Sequence, residues 1–172
     1  VDEAEAEISE QFKRIDENAQ INQLKVMKAF CDNKVSEAHL LPTTGYGYDD
    51  LGRDTLDKVY AQVFEAEDAL VRHSFVNGTH TIATALYAVL RPGDTLLAVT
   101  GKPYDTLEEA IGISGESGRG SLKDFGVNYE EIPLLENGQP DYGKIREILT
   151  NKEIKAAAIQ RSKGYGTRPT YS

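Results

Sequence analysis

Apolar residues recur at three- and four-residue steps along the first part of the chain, from about residue 2 to residue 33. They alternate with charged residues and are Ala4, Ile8, Phe12, Ile15, Ile21, Leu24 and Phe30. This period predicts one bent amphipathic helix or two shorter ones. A similar pattern predicts a helix over residues 55–65. The segment between them, residues 41–50, is rich in Gly, Tyr and Thr and predicts an ordered loop.

After residue 68 the period changes to short apolar runs that alternate with helical segments. Residues 68–74 are predicted to form a strand that leads into a helix over residues 79–90. An Arg-Pro-Gly-Asp turn restarts the chain as the apolar strand 95–99, and Pro103 is placed to open another helix. These units predict a βαβ crossover.

The remaining pattern continues the same alternation. It predicts a strand near residues 129–133, a helix over 141–149 and a strand over 154–160. The preceding segment, residues 112–126, holds many Gly and Ser residues and predicts a flexible surface loop with a short helical turn. The alternation favours an α/β fold with a mostly parallel sheet and helices on both faces.

The chain ends soon after its last predicted core strand, without a closing helix. A doubly wound domain would be half built at that point. We therefore expect the N-terminal part of a larger protein. In this division residues 1–40 form an N-terminal helical segment and residues 41–172 the first part of a large domain.

Composition narrows the class of protein. The chain has 28 acidic and 19 basic residues, a formal net charge of -9, which argues against a nucleic-acid partner. Its single cysteine, Cys31, excludes an intrachain disulfide and suits a reducing compartment. No run approaches the roughly 18 apolar residues of a membrane span. We expect a soluble, cytoplasmic protein without a membrane partner.

The segment Asn77-Gly-Thr-His80, between a predicted strand and a predicted helix, carries the strongest candidate chemistry. A helix N-terminus offers free N–H groups and a partial positive charge to an anion. Gly78 would let the backbone approach an anion closely, Thr79 would add a hydroxyl, and His80 would add a further donor. The alternative is an ordinary helix capped by Asn77, with the glycine needed only for the turn.

Tyr104 follows the apolar strand 95–99. Ligands of doubly wound sheets gather at the carboxyl ends of the strands, so a tyrosine there can lie over a flat ring. The alternative is a tyrosine packed at the start of a helix. At the end of the last predicted strand, Arg161 and Ser162 lie at the same edge, where an arginine can bind a carboxylate. The alternative for Arg161 is a solvated loop residue.

A third candidate lies in the loop around residues 45–53. Two phenols, Tyr46 and Tyr48, and the guanidinium of Arg53 offer donors suited to a phosphate or carboxylate. The alternative is a surface loop in which Arg53 pairs with a nearby aspartate. No cluster of His, Cys or carboxylate residues has metal-ligand spacing, so no metal site is predicted.

The order of these motifs resembles the Cys/Met-metabolism enzymes that use pyridoxal 5'-phosphate (PLP), over about residues 40–172. The segments His-Ser-Phe-Val-Asn-Gly-Thr-His at 73–80 and Ile-Gln-Arg-Ser-Lys-Gly-Tyr at 159–165 are similar to the cystathionine β-lyase-like family named for aluminium resistance, which is related to methionine γ-lyase. The resemblance implies a PLP-dependent transferase-like fold of the aspartate aminotransferase class. It also implies a carbon–sulfur lyase that acts on a sulfur-containing amino acid.

The resemblance assigns expected roles to the candidate residues. Gly78 and Thr79 would contact the PLP phosphate, with His80 beside them, and Tyr104 would stack on the pyridine ring. Tyr46 or Tyr48, with Arg53, would reach the phosphate of a neighbouring subunit, which implies a homodimer or homotetramer. The residues lining the substrate side would be Arg161 and Ser162.

The lysine that such enzymes join to PLP is expected beyond this chain. None of the lysines present stands in the family's position, so the isolated chain is expected to be inactive. Two alternatives stay open at this point. In the first, the protein is a PLP enzyme of another reaction type, such as a transaminase or decarboxylase. In the second, it is a non-catalytic α/β module that binds a phosphorylated ligand or a protein partner.

Overall fold

The computed structural model describes residues 2–46, 48–162, 167, 168, 170 and 171. The chain forms two compact units, Val1–Ser74 and Phe75–Ser172. The boundary between these units differs from the domain boundary predicted near residue 40, which stays a prediction.

The first unit is helical. It contains helices α1 (Asp2–Glu7), α2 (Ser9–Asp32) and α3 (Leu51–Val63), with a 3-10 turn at Glu37–Leu40. The N-terminal apolar pattern therefore forms two helices, one of the two predicted outcomes. Helix α3 begins four residues earlier than predicted because Asp50 caps it, its carboxylate accepting the Arg53 N–H at 3.0 Å.

The strand predicted at residues 68–74 is wrong. The described residues of this segment have no strand structure. Instead, the carboxylate of Asp57 on α3 accepts the Val71 N–H at 2.8 Å and a hydrogen bond from the Arg72 guanidinium at 2.7 Å. The hydrogen bond from Arg72, followed by that from Val71, holds the pKa of Asp57 below its usual value. The backbone donor that a sheet would use is thus bound to a helix side chain.

The second unit is α/β. Its elements are α4 (Gly78–Val89), β1 (Thr95–Ala98), α5 (Asp105–Ile111), β2 (Asn128–Glu131), α6 (Tyr142–Asn151) and β3 (Ala156–Ala158). The three strands form a parallel sheet in the order β2-β1-β3, with Leu96 opposite Tyr129 and Ala156. The predicted order of helices and strands after residue 78 is confirmed, with bounds that shift by a few residues.

Neighbouring residues of β1 serve opposite faces of the sheet. Leu96 packs in a buried cluster with residues of α5 and the segments around it: Leu90, Leu107, Ile111, Leu122 and Val127. Leu97 packs in a second cluster with Val99 and Ile132, against which Ile145 and Ile148 of α6 lie. Helices therefore cover both faces of this parallel sheet, as the sequence predicts.

The Gly-rich segment 112–126 is a loop, as predicted, and it is organised around one carboxylate. Asp124 accepts the N–H groups of Gly118, Gly120 and Ser121 at 2.9, 3.0 and 3.0 Å. These bonds, those from Gly118 and Ser121 most strongly, hold the pKa of Asp124 well below its usual range. The loop is therefore held by a specific set of hydrogen bonds.

Candidate functional site

The N-terminus of α4 combines a capped first turn with two open amide groups. Asn77 caps the helix, its side-chain oxygen accepting the His80 N–H at 2.8 Å. The next two residues are Gly78 and Thr79. Within the part of the chain that the structure describes, their amide N–H groups have no hydrogen-bond partner. The helix cap by Asn77 that the sequence suggested as an alternative is thus present, and it leaves the N–H groups of Gly78 and Thr79 available as donors.

Gly78 leaves open space beside these donors. A Cβ atom at this position would meet no other atom within 4 Å, and the residue does not have a left-handed backbone. Among the described residues, no neighbouring atom would clash with a side chain at position 78, and the backbone angles there do not require a glycine. Because the glycine has no side chain, an anion can approach the amide groups closely.

The N-terminus of α4 forms one wall of a cleft of about 500 Å³. The lining residues come from α4, from the start of α5 and from the end of β3: Asn77, Gly78, Thr79, Ile82, Tyr104, Thr106, Leu107, Gln160 and Ser162. Four of the residues singled out in the sequence, Gly78, Thr79, Tyr104 and Ser162, are thereby brought together. They lie at the carboxyl edge of the sheet, where ligands of such folds collect.

Tyr104 is the residue immediately before α5, and it is half-buried. Its N–H donates to Oε1 of Gln160 at 2.7 Å. The first turns of α4 and α5 are joined by a hydrogen bond of 2.6 Å between the hydroxyl oxygens of Thr79 and Thr106. The cleft therefore has walls that are tied to one another at the level of the N-terminus of α4.

His80 is positioned differently from Gly78 and Thr79. Its ring Nδ1 accepts the Val76 N–H at 3.2 Å, and its ring lies edge-on to Phe75 with 5.8 Å between centroids. It is not among the residues that line the cleft. These contacts give His80 a structural role in the turn before α4, and its contact with a cofactor stays a prediction.

The two residues predicted on the substrate side are separated. Ser162 lines the cleft beside α4, whereas Arg161 lines a second cleft of about 570 Å³ with Thr100, Tyr142 and other residues. The Nε of Arg161 donates to the Tyr171 carbonyl at 3.2 Å. The second cleft includes Tyr142, the first residue of α6, but the Tyr142 N–H already donates to the Pro140 carbonyl at 3.1 Å. Because the N–H groups of Gly78 and Thr79 have no partner among the described residues, the cleft beside α4 is the better candidate site.

The third candidate group belongs to the first unit. Tyr46 and Tyr48 are both exposed, each with 83% of its residue surface accessible. Arg53 forms an ion pair with Asp54, with 3.2 Å between a guanidinium nitrogen and the carboxylate. The aspartate pairing considered in the sequence is thus observed, and binding of a phosphate by this group stays a prediction.

Further observations concern the lysines, metal-binding groups and membrane-spanning helices. Lys102 forms an ion pair with Glu108 at 2.9 Å, and Lys163 lies outside the described residues. Groups of His, Cys, Asp and Glu that could hold a metal ion are absent from the described residues. Among the helices described, none is long and apolar enough to cross a membrane.

Two polar lining residues, Thr106 and Gln160, were not singled out as site residues in the sequence. Thr106 lies close to Tyr104 in the sequence, and Gln160 lies in the Ile-Gln-Arg-Ser-Lys-Gly-Tyr segment at 159–165. Their positions, two residues after Tyr104 and at the end of the last predicted strand, were the available signal. What the sequence could not show is that both side chains form hydrogen bonds to other walls of the cleft.

Comparisons with known proteins agree on a family. The family model described as methionine gamma-lyase matches residues 1–172. The Bacillus subtilis (strain 168) protein YnbB is 48% identical over 169 residues, which are 98% of this chain and 40% of YnbB.

Solved structures agree as well. The "carbon-sulfur lyase involved in aluminum resistance" from Clostridium novyi NT is 50% identical, with a TM-score of 0.90 over 94% of this chain and 39% of that one. The "putative cystathionine beta-lyase involved in aluminum resistance" from Listeria monocytogenes is 51% identical, with a TM-score of 0.94 over 99% of this chain and 42% of that one. The chain spans about two fifths of the length of these relatives. It belongs to the methionine gamma-lyase family.

Proposed function

We propose that the cleft beside α4 binds PLP and that its phosphate lies against the amide groups of Gly78 and Thr79. The observation that carries this proposal is the pair of N–H groups without a partner among the described residues, at the start of a 12-residue helix, beside the open space at Gly78. A helix N-terminus of this kind stabilises a phosphate through its hydrogen bonds and its dipole. The Thr79 hydroxyl shares a hydrogen bond with that of Thr106, and it would add a donor to the phosphate when Thr106 donates to it.

The remaining walls suit the ring of the same cofactor. Tyr104 lies at the start of α5, and the side chains of Ile82 and Leu107 add apolar surface. An aromatic residue over a flat ring contributes about 0.5–1.5 kcal/mol beyond the area that it buries. We assign ring stacking to Tyr104 on this basis. This arrangement fits the proposal of a PLP-dependent transferase fold of the aspartate aminotransferase class.

When bound, PLP supplies an electron sink for negative charge at the α-carbon of an amino acid. The names of the relatives support carbon–sulfur bond cleavage on a sulfur-containing amino acid. In this chain Ser162 lies in the cleft and is assigned a contact with the substrate. Arg161 lines the second cleft, so it would bind the substrate carboxylate only after its side chain turns toward the cleft beside α4 and its Nε gives up the Tyr171 carbonyl.

The proposal also concerns the rest of the enzyme. We assign the lysine that carries PLP to a position outside residues 1–172. The isolated chain is then expected to give no stoichiometric pyridoxyl-lysine after incubation with PLP and borohydride reduction, as read by mass spectrometry of the digest. A single stoichiometric adduct on Lys102, Lys123 or Lys163 would contradict this part of the proposal.

A homodimer or homotetramer is part of the same proposal. The exposed phenols of Tyr46 and Tyr48, with Arg53, would then serve a neighbouring subunit's phosphate. Light scattering of the active full-length protein is expected to give a dimer or a tetramer. An active monomer would exclude this role for the loop.

The experiment that tests the function starts from full-length protein without cofactor. PLP is titrated, and the saturated protein is then supplied with sulfur-containing amino acids while ammonia, keto acid and thiol are assayed. Release of all three supports a carbon–sulfur lyase. Keto acid without ammonia or thiol indicates transamination instead, and failure to bind PLP overturns the proposal.

A further inference from the structure

Gln160 is held at the carboxyl end of the sheet by its backbone. It lies two residues after β3, and its N–H donates to the hydroxyl of Thr100 at 2.9 Å. Thr100 follows the central strand β1 and is only 7% exposed. The Val99 N–H continues the pairing of these strands with a bond to the Ala158 carbonyl at 3.1 Å. Gln160 therefore projects from a fixed point of the core.

The side chain of Gln160 joins two walls of the candidate cleft. Its Oε1 accepts the Tyr104 N–H at 2.7 Å, and its Nε2 donates to the Ser162 carbonyl at 3.2 Å. One amide group thus binds the segment that carries the proposed stacking residue and also the turn that carries the proposed substrate contact. The two bonded residues are 56 and 2 positions away in sequence.

We propose that Gln160 is a positioning residue for the cofactor site, which fixes the backbone of Tyr104 relative to the sheet and the turn at Ser162. This inference rests on the proposed function for its purpose, although the hydrogen bonds stand without it. The chemistry of the amide explains the residue type, since glutamine offers an acceptor and a donor at the same end of one side chain. Glutamate keeps the acceptor alone, and methionine of similar length keeps neither.

The first test measures the position of Tyr104 without any cofactor. In full-length protein free of PLP, Gln160→Met is expected to raise the amide exchange rate of Tyr104 about fivefold to tenfold, as loss of one hydrogen bond would. Gln160→Glu is expected to retain the protection. Asn128→Ala is the matched control, because Asn128 uses a side-chain amide to hold the Gly93 carbonyl at 3.1 Å at the other end of the sheet. It should leave the exchange of Tyr104 unchanged.

The second test measures the ligand site with PLP itself. We expect Gln160→Met to weaken PLP binding about fivefold and to change the visible circular dichroism of the saturated protein, because the ring then lies against a displaced Tyr104. Asn128→Ala should change neither. Should Gln160→Met fail to fold, Gln160→Asn replaces it, since its shorter side chain keeps both polar groups but falls short of Tyr104.

The two tests separate failure of the inference from failure of the proposed function. Unchanged exchange of Tyr104 in Gln160→Met would overturn the inference, whatever PLP does. Faster exchange with unchanged PLP affinity and unchanged dichroism would overturn it too, because the bond would then be only structural. A wild-type protein that binds no PLP would remove the proposed function and with it the cofactor role of Gln160.

Discussion

Two regions of the second unit, both within the described residues, have backbone N–H groups beside glycines and differ in what faces those groups. In the loop 112–126, three N–H groups point at the carboxylate of Asp124, at 2.9 to 3.0 Å. At the start of α4, the N–H groups of Gly78 and Thr79 have no acceptor among the described residues. Both arrangements can hold an anion, and in the loop 112–126 the anion is the carboxylate of Asp124.

This difference separates a structural arrangement from a candidate binding site. The loop is held by an anion of the protein itself, the carboxylate of Asp124. The N–H groups favour the charged form of this carboxylate and so lower its pKa. Donors without an acceptor are costly unless solvent or a ligand satisfies them. The glycine pattern alone does not distinguish the two cases. The position of a carboxylate does.

The largest effect is expected when the open site is filled by a side chain. We predict that Gly78→Leu weakens PLP binding of the full-length protein by about 30-fold or more, the loss of roughly 2 kcal/mol from charge-assisted hydrogen bonds. Folding should change much less, because a Cβ at this position meets no atom within 4 Å. PLP titration and thermal unfolding measure the two quantities.

The matched control is Gly143→Ala, which removes a glycine from the first turn of α6 beside its capping residue Asp141. It should leave PLP affinity unchanged. Equal PLP affinity of Gly78→Leu and the wild type would rule out a phosphate site at α4. It would also rule out the proposed difference between α4 and the loop 112–126.

A smaller effect is expected at the ring wall. Tyr104→Ala should weaken PLP binding about fivefold, corresponding to a stacking contribution of about 1 kcal/mol. Tyr104→Phe should bind nearly as well as the wild type, because the ring face is retained. A phenylalanine variant as weak as the alanine variant would show that the phenol oxygen, and not the ring, is what the site uses.

In the loop 112–126, removal of the carboxylate is expected to change the stability of the loop and not the affinity for PLP. Asp124→Asn removes the charge that the N–H groups of residues 118, 120 and 121 favour, so trypsin should cleave after Arg119 several-fold faster. PLP affinity should not change. If this variant lost PLP affinity as Gly78→Leu does, the loop would belong to the site and the distinction between the regions would fail.

The smallest effect concerns pH. The pKa of Asp124 is depressed in the folded loop, so its stabilisation is fully present above the unfolded carboxyl pKa of about 3.9 and is lost as pH falls through the folded value. Amide exchange of Gly118 and Gly120, corrected for intrinsic rates, should therefore keep its protection down to about pH 4. Asp124→Asn should abolish the acid-dependent loss. Protection lost near pH 5 in the wild type would contradict a lowered pKa.

Much of the second unit could be predicted from the sequence. The apolar run at residues 95–99 and the Pro-Gly-Asp turn before it predict β1, and periodicity predicts α4 and α6. The local signals agree with the tertiary fold there, because the central strand β1 is buried between helices. Tyr104 and Ser162 could be selected because the ends of parallel strands meet at one edge. Gly78 and Thr79 could be selected from the predicted N-terminus of α4, although the strand predicted before that helix is wrong.

Other features depend on contacts between residues far apart in sequence. The segment 68–74 has the composition of a strand, but Asp57, 14 positions before Val71, binds its backbone instead. Gln160 likewise bonds to Tyr104, 56 positions away. The separation of Arg161 from Ser162 follows from the alternation of side chains at the end of a strand, which a motif by itself does not resolve.

The central claim is that PLP phosphate occupies the open N–H groups of α4, and a structure of the full-length protein with PLP tests it most directly. The account predicts phosphate oxygens at roughly 2.7–3.2 Å from the amide nitrogens of Gly78 and Thr79, with the ring of Tyr104 against the pyridine. A phosphate bound away from α4, with these two amide groups facing only solvent, would contradict it.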